Sequence, residues 1–198
     1  MKIQTLVLGQ LETNCYLAID EISGECLIID PADDAELISD EILRQQLKPI
    51  AIIATHGHYD HIMAASALQL NFDLPFMLHP EDEFLVKDLV KRASFWQQQE
   101  IQLQPPKITN YLKSGQEIKF GKVFMKVVHT PGHTPGGICI VNYKEKTIFT
   151  GDTLFSNTIG RTDLSYSLPK KMNKSVKNLK ESFQDFAAFP GHGKSFII

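Results

Sequence analysis

Between Ala54 and Ala64 the chain reads ATHGHYDHIMA, so His56, His58, Asp60 and His61 fall within six residues, directly after the apolar run IAII. Imidazoles and carboxylates held that close are desolvated, or repel one another once charged. A metal cation removes the conflict by taking neutral imidazole and carboxylate as ligands. His56 and His58 are two residues apart and cannot share a helix face, which excludes the helical zinc-protease pattern with its i, i+4 pair. Gly57 between them points instead to a tight loop leaving a strand, a common place for chemistry in α/β proteins. Three more metal-capable side chains recur in that setting: His133 in HTPGHTPGG, Asp152 in TIFTGDTLF and His192 in FAAFPGHGK, each in a turn after an apolar run. Seven ligands divide into two sites of three with one shared, which suits a bridging carboxylate. No cysteine is among them. An all-nitrogen-and-oxygen set suits zinc, iron or manganese, and two divalent ions, zinc in the first instance, are the expected cofactors. His79 in LHPED stands alone and reads as a satisfied loop residue.

The elements that must hold these side chains follow from periodicity. Strand-like runs occur at Ile3–Leu8, Cys15–Ile19, Cys26–Ile29 and IAIIAT. The segment DPADDAELISDEILRQQ carries acids in its first turn and places Ala35, Ile38 and Ile42 on one helical face. IMAASALQL and EDEFLVKDLVKRASFW each read as one helix, and PFMLH as a short strand. EIKF-GK-VFMKVVH and GICIVNY-KE-KTIFTG read as hairpins. Over Leu168–Phe183, Leu168, Met172, Val176, Leu179 and Phe183 fall at helical spacing, with Lys170, Lys171, Lys174, Lys177 and Lys180 as a solvated opposite face. Trp96–Asn110, with its Gln run and Pro105–Pro106, reads as a loop at the rim of a pocket. Alternating strands and helices with hairpins predict an α/β domain with a mixed sheet.

Composition narrows the class. A chain of 198 residues with 43% apolar and 22% charged residues is ordinary globular protein, expected as a single domain over 1–198 without a separate C-terminal substrate domain. A net charge of −3 argues against nucleic-acid partners, and no apolar run approaches the roughly 20 residues of a membrane span. Cys15, Cys26 and Cys139 are odd in number and lie in apolar runs, which fits buried thiols in a cytoplasmic protein.

The order THGHYDH, HTPGHTPGG, GDTLF and PGHG resembles the metallo-β-lactamase-fold hydrolases, and within them the single-domain glyoxalase II-like (hydroxyacylglutathione hydrolase-like) subgroup. TNCYL, IIDPA and IGRTDL extend the resemblance over nearly the whole chain. It implies a four-layer αββα sandwich, with His56, His58 and His133 on one metal, Asp60, His61 and His192 on the second, and Asp152 between them. It places His129 outside the metal shell and Asp30 behind a ligand histidine. The antibiotic-hydrolysing zinc β-lactamases are a poorer match, because they lack the bridging carboxylate expected at Asp152. Two-domain glyoxalase II differs too, with CGHE where this chain has PGHG.

The expected chemistry is hydrolysis of a small-molecule thioester, of the hydroxyacyl-glutathione or a related small-thiol kind. Two cations sharing a water would bring its pKa down towards neutrality, and Asp60 would orient the resulting hydroxide. A thiolate leaves without a strong general acid. Tyr59 either faces substrate or packs. Arg161 and Asp163 form an internal ion pair beside the ligand loop, or Arg161 takes a substrate carboxylate through its planar fork. The competing readings are a persulfide dioxygenase with one iron on His56, His133 and Asp152, a lactone hydrolase, and a binding domain that keeps metal for stability. Oligomeric state is left open.

Overall fold

A computed structural model describes residues 1–198. The first half builds one sheet in the order β1 (Lys2–Leu8), β2 (Thr13–Ile19), β3 (Glu25–Ile29), β4 (Lys48–Ile53), β5 (Phe76–Leu78) and β6 (Ile108–Tyr111). Its first three strands pair antiparallel and the rest parallel, with crossovers through helices α1 (Ala35–Arg44), α2 (Tyr59–Ile62), α3 (Ala65–Phe72), α4 (Glu83–Lys87) and α5 (Leu89–Gln97). The second half builds the other sheet: β7 (Glu117–Phe120), β8 (Val123–His129), β9 (Ile138–Asn142) and β10 (Thr147–Gly151) antiparallel, then β11 (Ala187–Pro190) parallel to β10 after helix α6 (Pro169–Ser182), and β12 (Phe196–Ile197) at the edge.

Strand alternation shows why the layers stack αββα. On β2 and β3, Cys15, Leu17, Ile19, Cys26 and Ile28 face one way, onto Ile38 and Ile42 of α1, Leu68 of α3 and Leu89 of α5. Their neighbours Tyr16, Ala18, Leu27 and Ile29 face the other way, onto Ile118, Phe120, Met125, Val127, Ile140 and Phe149 of the second sheet. That sheet's outer face, with Cys139, Val141, Ile148 and Ala188, is covered by Leu179 of α6 and by Phe183 and Phe186. Strands buried on both faces must be apolar at every position, and β3 and β9 are almost wholly so. The three cysteines are free and buried, and the five lysines of α6 are exposed, as expected.

Three local expectations are corrected. IMAASALQL is not one helix: the Met63 and Ala64 amides donate to Ala32 and Pro31 carbonyls, both at 3.1 Å, and so leave the helical ladder between α2 and α3. EDEFLVKDLVKRASFW opens with a 3₁₀ turn over Pro80–Asp82 and then breaks at Asp88, whose backbone (φ −90°, ψ 7°) lies in the bridge region. The proposed rim loop is shorter than Trp96–Asn110, because α5 continues to Gln97 and Ile108 begins β6. The strand β12 carries no sequence signal, being only two residues long.

Candidate metal centre

The loops that follow β4, β8, β10 and β11 meet at one end of the paired sheets, and bring His56, His58, Asp60, His61, His133, Asp152 and His192 together. His56 Nε2 lies 3.1 Å and His133 Nε2 2.9 Å from His58 Nδ1, so three ring nitrogens converge on one point. Beside them His61 Nε2 and His192 Nε2 approach Asp60 Oδ2 at 3.5 and 3.4 Å. Asp152 reaches both groups, with Oδ1 3.5 Å from His61 Nε2 and Oδ2 3.5 Å from His133 Nε2.

The far nitrogen of every one of these rings is engaged, and that fixes what the near nitrogen carries. His133 Nδ1–H donates to the Arg161 carbonyl at 2.8 Å, and His192 Nδ1–H to the Leu11 carbonyl at 2.9 Å. His61 Nδ1–H donates to Asp30 Oδ2 at 3.0 Å. Thr55 Oγ1 spends its proton on Asp30 Oδ2 (2.7 Å) and so accepts from His56 Nδ1–H at 3.1 Å. His58 Nε2–H faces the Tyr166 hydroxyl at 2.8 Å. Each imidazole, once neutral, therefore turns a lone pair inward, the arrangement in which outer hydrogen bonds orient metal-binding histidines. His61 Nε2 and Asp152 Oδ1 are buried with no protein partner. Buried polar atoms are nearly always hydrogen-bonded, so two orphans aimed at each other fit a cation between them.

Electrostatics point the same way. Burial and the surrounding imidazoles push His56 well below the usual histidine range, and burial and His133 do the same to His58. Burial also opposes charge on His61, but the Asp60, Asp152 and Asp30 carboxylates outweigh it and lift that group to about 10. Burial raises Asp60, and His61 with His192 more than compensates, so its carboxyl is held well below the ordinary range. One group of rings thus repels added protons while the carboxylates attract positive charge.

Glycine is required where the loops close. A Cβ on Gly191 would collide with Asp152 Oδ1 and approach His61 Cε1 to 2.7 Å. One on Gly160 would strike the Asp152 carbonyl.

The remaining sequence candidates fall into place around this centre. Asp30 supports His61 and Thr55 from behind, and also accepts from the Thr55 amide at 2.6 Å. Tyr59 both packs on the helical core and lines the cavity beside the metal-capable residues. The Arg161–Asp163 pair is a fork of two 2.8 Å contacts, but it is exposed and not internal; the Arg161 backbone carbonyl, not its guanidinium, meets a ring of the centre. His79 and His129 lie outside, stacked 4.0 Å apart and 12° from parallel. Rings stacked face to face direct their in-plane lone pairs side by side, and they cannot both aim at one ion.

Three contributors escaped the sequence reading. Asp82, fully buried, accepts from Gly57 N (3.0 Å), Thr134 Oγ1 (2.7 Å) and Gly136 N (2.6 Å), and so ties the GHYDH loop to the HTPGHTPGG loop. Its acidity in HPED was visible, but its partners lie 25 and more residues away. Tyr166 and Arg92 wall a cavity of about 450 Å³ that opens onto His58, His133, Asp152 and His192. A larger groove of about 750 Å³, between Leu154–Ile159 and Phe196–Ile198, touches none of the seven metal-capable residues.

Known proteins resemble this chain over nearly its whole length. A relative of unassigned function from Aquifex aeolicus is 37% identical, covering 97% of this chain and 90% of its own. Hydroxyacylglutathione hydrolase GloC of Haemophilus influenzae is 31% identical, covering 100% of this chain and 93% of its own. Among solved structures, the BLEG-1 B3 metallo-beta-lactamase superposes with a TM-score of 0.90 at 30% identity, covering 99% of this chain and 94% of that one. TTHA1623, solved in a di-iron-bound form, gives 0.88 at 32% identity, covering 98% and 94%. The sequence profile of the metallo-beta-lactamase superfamily matches residues 8–192, and the chain belongs to that superfamily.

Proposed function

We propose that this chain is a metal-dependent hydrolase of small-molecule thioesters, of the hydroxyacyl-glutathione or a related small-thiol kind. The observation that carries the reading is the pair of converging donor sets joined by Asp152 and opening onto the 450 Å³ cavity. His56, His58 and His133 would hold one divalent ion, and Asp60, His61 and His192 the other. The chemistry such ions supply is an acidified shared water and a Lewis acid for the substrate carbonyl. Asp60, which accepts a hydrogen bond through Oδ2 from Thr13 Oγ1 at 3.2 Å, would accept another from the nucleophile and aim it. Tyr59 faces the cavity with its hydroxyl pushed by burial up to about 12, so it remains a neutral donor and supplies no acid near neutral pH. That suits a thiolate leaving group, which departs without protonation. The likeness to GloC supports the same substrate class, and the di-iron form of TTHA1623 keeps iron beside zinc as a candidate metal.

A second reading, β-lactam hydrolysis, is favoured by one observation, the similarity to the BLEG-1 B3 metallo-beta-lactamase. The test is metal analysis of protein purified without added metal, followed by assays of that sample on S-lactoylglutathione, glutathione persulfide and a chromogenic cephalosporin. About two metals per chain with thioester cleavage is the expected result. Cleavage of the cephalosporin alone, or one iron with oxygen uptake on the persulfide, overturns it.

A further inference from the structure

Arg92 is unlike the other cations of this protein. Its guanidinium lies over two aromatic rings, 5.1 Å from the centroid of Tyr166 and 5.7 Å from that of Phe84, and its side chain is 25% exposed. Its Nε–H is buried and meets no acceptor. The carboxylate in reach, Asp88, is one turn earlier on the helical segment, half exposed, and touches Nη2 at a long 3.4 Å. With Nε buried, the exposed quarter of this stacked side chain is what an anion from outside the chain can reach, and the guanidinium presents its donors there as a planar fork matched to a carboxylate. The ring it stacks on is Tyr166, whose hydroxyl meets His58 of the metal centre, so this cation stands beside the reacting region.

The cavity over the metal centre also does not end at Arg92. Arg92, Trp96, Leu164 and Tyr166 line both that cavity and an adjoining one of about 340 Å³ that adds Lys91, Phe95, Ser165 and the half-exposed Asp88. Trp96 is half exposed and Phe95 more so, two large aromatic surfaces left to solvent beside two cations. With a thioester carbonyl at the metals, a short acyl group stays near them. Only the longer half of such a substrate extends past Arg92 into the second cavity.

We propose that α5 supplies the seat for the thiol carrier of the substrate: Arg92, with Lys91 beside it, binds a carboxylate on the leaving thiol, and Trp96 with Leu164 packs against its stem. This rests on the thioester-hydrolase reading above. It makes Arg92 a specificity-determining residue, and predicts preference for carriers that bear free carboxylates.

The test uses the metal-loaded full chain and two substrates with the same acyl group and thiol skeleton, S-lactoylglutathione and its diethyl ester, in which the carboxylates are blocked. The readout is the ratio of their kcat/KM values. Loss of a charge-assisted, forked contact is expected to change that ratio about 10- to 100-fold. Wild type favours the free acid by that factor, Arg92→Gln collapses the preference through KM, and Arg92→Lys restores part of it, with metal content and Tm recorded for each variant. A wild-type ratio near one, or a ratio that Arg92→Gln leaves intact while both activities fall together, overturns the proposal and leaves Arg92 a packing residue. If wild type cleaves neither thioester, the hydrolase reading fails by itself. The seat is then read from equilibrium binding of glutathione and its diethyl ester. At least tenfold weaker glutathione binding by Arg92→Gln supports it, and equal binding overturns it.

Discussion

Replacing Asp30 by asparagine puts an NH₂ group where Thr55 Oγ1 and His61 Nδ1 both donate, at 2.7 and 3.0 Å, if the amide oxygen keeps the 2.6 Å contact from Thr55 N. Asn is the informative choice, because residue 30 sits at φ 52°, a left-handed conformation that Asn tolerates. The amide can satisfy one side only. A buried donor facing a donor costs about 1–3 kcal/mol. Metal-free His61 already carries a proton on Nε2, where Asp60 Oδ2 and Asp152 Oδ1 each lie 3.5 Å away, so it relieves the clash by giving up the Nδ1 proton and accepting there from the amide. The metal-free protein then loses little stability, a few degrees in Tm at roughly 2–4 °C per kcal/mol for a domain of this size. The second metal position, however, loses the lone pair of His61. Altering such an outer hydrogen bond lowers metal affinity about 10- to 100-fold, about 1.4–2.7 kcal/mol. Competition titration against a chromogenic chelator, with Tm measured with and without metal, should show one tight ion retained, one weakened, and an intact metal-free fold. Two ions bound with wild-type affinity would refute the tautomer argument.

Other outcomes follow from the same geometry. His58→Ala and Asp60→Ala should each lose most thioester hydrolysis while circular dichroism stays native; full activity in either removes the two-ion mechanism. Gly191→Ala drives a methyl into Asp152 and His61, and such overpacking costs about 1–3 kcal/mol, so Tm should fall by about 2–12 °C and metal content with it; wild-type values for both would show that the loop yields freely. The metal-free protein should be most stable near pH 6.5. Below that, the unfolded chain takes up protons that buried His56 and His58 refuse, and stability falls as pH falls. Above it, the unfolded chain releases the proton that His61 keeps up to about pH 10, so stability falls as pH rises through that window. Saturating metal should abolish the alkaline loss, since it occupies the lone pair that the proton held; urea unfolding midpoints across pH, with and without metal, measure this, and a flat metal-free profile would contradict the assigned charges.

The sequence by itself determined the donors and the architecture that carries them. His56, His58, Asp60, His61, His133, Asp152 and His192 were legible because each follows an apolar strand in a turn marked by Gly or Pro, and such punctuation is local. The same locality made β2, β3, β4 and the two hairpins readable, since a continuous apolar run or a period-two alternation is written in neighbouring residues. Only the tertiary structure decided which nitrogen of each ring faces the centre. That choice belongs to acceptors far away in the chain: the Leu11 carbonyl for His192, Tyr166 for His58 and Arg161 for His133. The clamp of Asp82 across two loops, the exposed setting of the Arg161 fork and the stacking of Arg92 on Tyr166 were hidden for the same reason. Periodicity records which side of an element is buried, whereas these contacts arise only when two sheets close on each other and bring segments 25 to 181 residues apart within hydrogen-bonding distance.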